Sequence, residues 1–273
     1  MKTRFPTIVV NVMVTFALTG LLSDDSAWAQ QPERASAQSV SRPKPVWTPT
    51  ADAPKGAISP GLESQHHDQF IERAKAGDID IVFFGTTDTE MWNWRDRGLT
   101  VWNRRFASRR AANFGSQGTR LDTLLWRMRN GELDGYQASL VVLQLAGPGG
   151  HIDGGSPGSP DVIAEYAAIV AEVRARQPQA RILLFAPFPR GAQALDAWRP
   201  ISQANAAAVS RLVDNKTVVY IDIGERFFLP DGSHNQEMWR FPPLSGGVNV
   251  GTQTSTFEAW ADAIEPFLNR GGR

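Results

Sequence analysis

Between residues 79 and 223 five short runs are almost continuously apolar: Ile79–Phe84, Ala112–Phe114, Leu140–Leu145, Arg181–Ala186 and Thr217–Ile223. They do not alternate apolar with polar positions, which is the pattern of strands covered on both faces, as in a parallel sheet. Segments of helical character separate and flank them: Glu63–Ala76, Thr119–Arg129, Pro160–Arg176, Pro200–Val213, and a last one from Thr254 to Leu268. In the third of these, Val162, Ile163, Tyr166, Ile169, Val170 and Val173 recur at helical spacing and give one apolar face to lay on a sheet. Strands alternating with helices of this length predict βαβ units. The expected class is therefore α/β, three layers α/β/α, with a doubly wound, mostly parallel five-stranded sheet. Loops leaving the C-terminal ends of such strands form the ligand crevice, which singles out Gly85–Trp94, Gly115–Gly118, Ala146–Pro160 and Gly224–Thr252.

The N-terminal pattern is of another kind. Lys2 and Arg4 precede an apolar stretch from Ile8 to Leu22, and Ala27-Trp28-Ala29 follows as a small-x-small site, so residues 1–29 read as a signal peptide cut before Gln30. Asn11 and Thr15 interrupt the stretch, which argues against a permanent membrane span. The expectation is an exported protein, periplasmic or secreted. The chain contains no cysteine, which excludes a lipid anchor on the mature N-terminus, a disulfide framework and a thiolate metal site. Residues 30–60 are rich in Pro, Ala, Ser and Gln without apolar periodicity and read as a disordered linker. Residues 61–273 then form one domain. A formal net charge of zero speaks against a nucleic-acid partner. The cluster Arg104, Arg105, Arg109 and Arg110 reads as a solvated basic face.

Several spaced motifs carry a resemblance. They are Gly77-Asp-Ile-Asp-Ile-Val-Phe-Phe-Gly85 with Thr89-Glu90 and Trp92, then Ala112-Asn-Phe-Gly115, Leu125-Trp126-Arg127 with Asn130-Gly-Glu-Leu-Asp134, Phe188-Pro-Arg-Gly191, Val219-Tyr-Ile-Asp-Ile-Gly224 and Trp260-Ala-Asp-Ala-Ile-Glu-Pro266. In this order, from His67 to Leu268, the chain resembles the SGNH or GDSL hydrolases with their flavodoxin-like sheet, and most of all the branch of the platelet-activating-factor acetylhydrolase catalytic subunits. The resemblance implies acyl transfer from the serine of Gly-Asp-Ser, a late Asp-x-x-His as orienter and base, and an oxyanion hole made by the serine amide, a glycine and an asparagine. It implies no cofactor.

Placed on this chain, that machinery is mostly replaced. The nucleophile position falls on Thr87 and the aspartate before it on Thr86. Threonine keeps a hydroxyl, but its extra methyl restricts χ1, and the residue can equally line a pocket. Gly115 matches the glycine of the second block, either as an oxyanion donor or as a tight turn. Where the family shows Gly-x-Asn the chain reads Ala146-Gly147-Pro148-Gly149-Gly150, and a lost donor of this kind costs roughly a hundred- to thousandfold in rate. For the late block, counting back from Trp260 reaches Val248 and Gly251, and counting forward from Gly224 reaches Phe241 and Leu244, so neither register preserves the pair. Asp231-Gly232-Ser233-His234 is itself an Asp-x-x-His and reads as a catalytic pair or as a surface turn.

Of the four histidines, His67 stands on the helix before the first strand, His66 beside it looks exposed, and His151 lies in the glycine-rich loop, where it could overhang the pocket. They show no metal-ligand spacing. Among nine tryptophans, Trp92, Trp102 and Trp126 are expected in the core, whereas Trp94, Trp198 and Trp239 are freer to stack on a sugar. The expected binding positions are thus Thr86, Thr87, Gly115, Gly147, Gly149 and His151. The leading expectation is a non-catalytic relative that binds an acylated, glycan or lipid-like ligand, or a protein partner, in the remnant crevice. The alternatives are an esterase acting on small acyl esters or acetylated sugars through Thr87, His234 and Asp231, and a structural cell-envelope component.

Overall fold

The computed structural model of the chain describes residues 62–145, 160–189, 195–240 and 251–268. Helix α1 (Leu62–Lys75) leads into strand β1 (Ile81–Gly85), then α2 (Thr87–Glu90), α3 (Leu99–Arg105), β2 (Ala111–Gly115), α4 (Leu121–Arg127) and β3 (Leu140–Gln144). The order continues with α5 (Pro160–Arg176), β4 (Arg181–Phe185), α6 (Leu195–Val209), β5 (Val218–Ile221), β6 (Trp239–Arg240), β7 (Gly251–Thr252) and α7 (Thr254–Leu268). Strands β1 to β5 form one sheet in the order β2-β1-β3-β4-β5. All four of its pairings are parallel, as the continuous apolar runs require.

Alternate strand residues serve opposite faces. Val82, Phe84, Val141, Leu143, Ile182 and Leu184 meet Leu124 of α4 and Ile169, Val170 and Val173 of α5. Ile81, Phe83, Leu140, Val142, Leu183 and Phe185 meet Val101 of α3 and Phe257, Trp260 and Ile264 of α7. The second face is strongly aromatic. Phe83 lies with its ring centroid 5.1 Å from both Trp102 and Phe106 and 5.8 Å from Trp92, while Trp92 packs 5.3 Å from Trp260.

Two local features depart from the sequence expectation. Helix α6 begins at Leu195, upstream of Pro200, because Trp198 is buried and draws that extra turn against the core. Trp198 and Trp239, expected to be free for stacking on sugars, are only 1% and 8% exposed, and Trp94 alone of that trio is half-buried. The basic cluster is an ion-pair ladder: Arg104, Arg105 and Arg109 reach Glu258, Asp262 and Glu265 of α7, and Arg110 reaches Asp78 and Asp80. No helix among the described residues is long and apolar enough to cross a membrane.

Candidate functional site

Strand β1 pairs with β2 on one side and β3 on the other, so its C-terminal end is the switch point where an open α/β sheet places its ligand crevice. Gly85 ends that strand, in register with Gly115 and Gln144. A side chain is impossible there: a Cβ would lie 2.1 Å from Thr89 Oγ1 and 2.4 Å from the Gln144 carbonyl oxygen. The short helix α2 is therefore laid directly on the end of the sheet.

Four consecutive residues of this turn have different surroundings. Thr86 occupies the N-cap position of α2, but its Oγ1 is buried and makes no hydrogen bond. Thr87 is half-buried and is the more accessible of the two. Asp88 is fully buried, and its Oδ1 accepts a hydrogen bond of 2.7 Å from Thr252 Oγ1 on β7. Thr89 offers its carbonyl to Asn113 Nδ2 at 2.9 Å. Asp88 is the functional-region residue that the motif comparison passed over, and its position directly after Thr87 was the signal available.

Gly115, expected as either an oxyanion donor or a tight turn, ends β2 beneath α2. Its amide donates to Asn113 Oδ1 at 2.9 Å, and a Cβ on it would sit 2.4 Å from the Glu90 nitrogen. It is a packing glycine under α2 whose N–H is already bonded, rather than a donor presented to the crevice. The loop that follows is anchored from below. Arg127 is 1% exposed and donates to the Phe114 carbonyl at 2.7 Å and to Thr119 Oγ1 at 3.1 Å, so one guanidinium holds both ends of residues 114–119. Glu132 balances its charge through contacts of 2.8 and 3.0 Å and also meets His67 Nδ1 at 2.8 Å. The adjacent His66, expected to be exposed, is half-buried, with Nδ1 3.1 Å from Ser116 Oγ.

Asp231–His234 forms a tight hairpin. Phe228 and His234 pair antiparallel, the Gly232 amide donates to the Leu229 carbonyl at 2.9 Å, and the Leu229 amide to that of Ser233 at 2.7 Å. Gly232 takes φ +81°, a left-handed conformation that favours glycine. Asp231 Oδ1 accepts from both the Ser233 hydroxyl, at 2.6 Å, and the Ser233 amide, at 2.9 Å, and these bonds hold its carboxyl below the usual range. His234 Nε2 donates to the Trp239 carbonyl at 3.0 Å. Burial pushes the imidazole pKa down, and the Trp239 carbonyl opposes that. Asp231 and His234 thus share a turn while serving separate partners.

Gly251 lies in β7, paired with Arg240. Positions Gly147, Gly149, Gly150, His151, Phe241, Leu244 and Val248 lie outside the described residues, as do residues 1–60.

The model of the GDSL-like Lipase/Acylhydrolase family matches residues 81–244. Platelet-activating factor acetylhydrolase IB subunit alpha2 of Rattus norvegicus is 27% identical over 182 residues, covering 66% of this chain and 76% of that one. The alpha1 subunit of Homo sapiens is 27% identical over 183 residues, 67% of this chain and 75% of its own. Two solved structures share the fold. A Streptococcus pneumonia protein described as a platelet activating factor superposes with a TM-score of 0.56 at 15% identity, over 75% of this chain and 92% of its own. A Bacteroides fragilis protein described as an acylhydrolase gives 0.53 at 17% identity, over 78% and 98%. With a five-stranded parallel sheet, the motif order and the family match over residues 81–244 in agreement, this chain belongs to the GDSL-like lipase/acylhydrolase family.

Proposed function

We propose that the protein is an exported member of this family that binds without hydrolysing, taking an acylated, glycan or lipid-like ligand, or a protein partner, in the crevice above Gly85. The arrangement of His234 is the observation that supports this most. A hydroxyl nucleophile needs a base within about 2.6–3.2 Å of its oxygen, oriented by a third group. Here the imidazole Nε2 is committed to the Trp239 carbonyl, and Asp231, the residue that would orient it, is committed to Ser233. Thr87 stands at the nucleophile position and a neutral threonine stands before it. What remains at the mouth is half-buried Thr87 with exposed Gln117 and Gly118, beside Glu90, whose carboxylate accepts from the Gln117 amide; these polar groups suit a sugar hydroxyl or another hydrogen-bonding ligand. Export rests on residues 1–29, and mass spectrometry of the mature protein should find Gln30 first.

A second reading has one observation in its favour. Ser116 and His66 are a hydroxyl and an imidazole at bonding distance at the C-terminal end of β2, although Ser116 is only 1% exposed. The decisive experiment compares turnover of short acyl esters by the parent and by Thr87→Ala, His234→Ala and Ser116→Ala. All four should be equally slow. Activity lost in the first two variants establishes the Thr87 esterase, and activity lost in Ser116→Ala establishes the alternative pair. In parallel, acetylated glycans and short lipids should shift the melting temperature of the parent but not of Gln117→Trp, whose new ring fills the mouth. No shift in the parent would favour the structural-component reading.

A further inference from the structure

A small cavity lies between the first turns of α5, the second half of α6 and β5, beneath Pro187 where the chain leaves β4. Its walls are mostly apolar, from Val162, Ala208 and Val209 among others, yet Tyr166, Asn205 and Tyr220 also line it. The hydroxyl oxygens of the two tyrosines and Asn205 Nδ2 are all buried and have no hydrogen-bond partner. Tyr166 is 5% exposed and Asn205 7%. A buried polar group left unpaired loses its hydration without return, and three around one void are not accounted for by packing.

Size and chemistry then select an occupant. The space left for a water-sized sphere is about 10 Å³, roughly one water and too little for an organic ligand. Among the described residues no carboxylate lines it, and a cation would have no counter-charge there. Burial raises the pKa of both phenols well above the ordinary range, which keeps them neutral and able to donate or to accept. The amide nitrogen only donates. The complementary species accepts at least one hydrogen bond and can donate others.

We infer that this cavity is a built site for a single ordered water, which accepts from Asn205 Nδ2 and bonds both the Tyr166 and Tyr220 hydroxyls. That water joins α5, α6 and the β5 edge through one centre. Because Val162 and Tyr166 lie in the first turns of α5 and Pro187 follows β4 at the crevice end of the sheet, it fastens the start of α5 at that end.

Two measurements on the whole protein test this. A high-resolution crystal structure should show a peak within about 2.6–3.2 Å of all three atoms. Thermal melts of Tyr166→Phe and Tyr220→Phe, each conservative enough to fold, should fall by about 2–4 °C, since each removes a bond to the water. A dry cavity reverses the sign, because deleting an unpartnered hydroxyl then raises the melting temperature, and that result overturns the inference. An anomalous bromide peak at the site after a soak would overturn it too, in favour of a small anion.

Discussion

Restoring the family's aspartate at position 86 should damage this protein rather than repair it. Thr86 is 7% exposed, and its Oγ1 already sits in a place with no hydrogen-bond partner, two residues from the fully buried Asp88. A carboxylate there loses its hydration. The penalty has a ceiling, since the side chain can escape by taking up a proton. Holding an aspartate with an unfolded pKa of about 3.9 neutral at pH 7 costs about 4 kcal/mol. The floor is the roughly 1–3 kcal/mol of an unpaired buried polar group. Thr86→Asp should therefore melt about 2–15 °C below the parent at pH 7 for a domain of this size.

The pH dependence identifies the cause. Burial raises the folded-state pKa of the new carboxyl above its unfolded value, so the native state binds more protons than the unfolded state between the two. Stability of the variant then declines as pH rises from about 4 through the folded pKa, and levels off above it. Thr86→Asn has similar shape and no titration, so its deficit should stay constant. Calorimetric melts of parent, Thr86→Asp and Thr86→Asn between pH 4 and pH 8 read both effects. If Thr86→Asp melts with the parent at pH 7 and its stability does not change with pH, the carboxylate has found donors at the start of α2. The site would then be preformed for the family's charge.

Two further outcomes follow from the charge networks. Glu132→Gln should lower stability by about 3–5 kcal/mol in urea titrations, because Arg127 stays buried with its counter-charge removed; a loss below 1 kcal/mol would mean that the guanidinium is hydrated. Arg105→Ala, on the exposed ladder to α7, should cost only about 0.2–1 kcal/mol, and less in high salt, and a larger or salt-independent loss would contradict the solvated reading.

The fold was legible because its determinants are local and redundant. Five apolar runs and one strongly periodic helix suffice to require a covered parallel sheet, and a single wrong boundary changes nothing. The boundary at Pro200 was missed because proline's preference for a helix start is weak beside the burial of Trp198 two residues earlier. The same override misplaced Trp198 and Trp239, each followed in sequence by an arginine but packed in space with the aromatic cluster of the α7 face.

The candidate site was only half legible, for a different reason. Position 87 could be located by motif spacing, since Gly85 must lack a side chain wherever α2 sits on the sheet. The role of each surrounding group depends on a partner distant in sequence. The hydrogen bond from Thr252 to Asp88 spans 164 positions, and His66 meets Ser116 across 50. Nothing in the pattern of either segment announces the other. These contacts also bear on what a family member keeps when the charged and nucleophilic residues of its motif are threonines. At positions 86 and 87 no carboxylate remains, but the next residue, Asp88, carries one turned into the interior, where it pins α2 to β7. Arg127 and Glu132 still clamp the second loop from below. A turn held this firmly without its charge keeps a fixed shape at the mouth, which is what the proposed binding role requires.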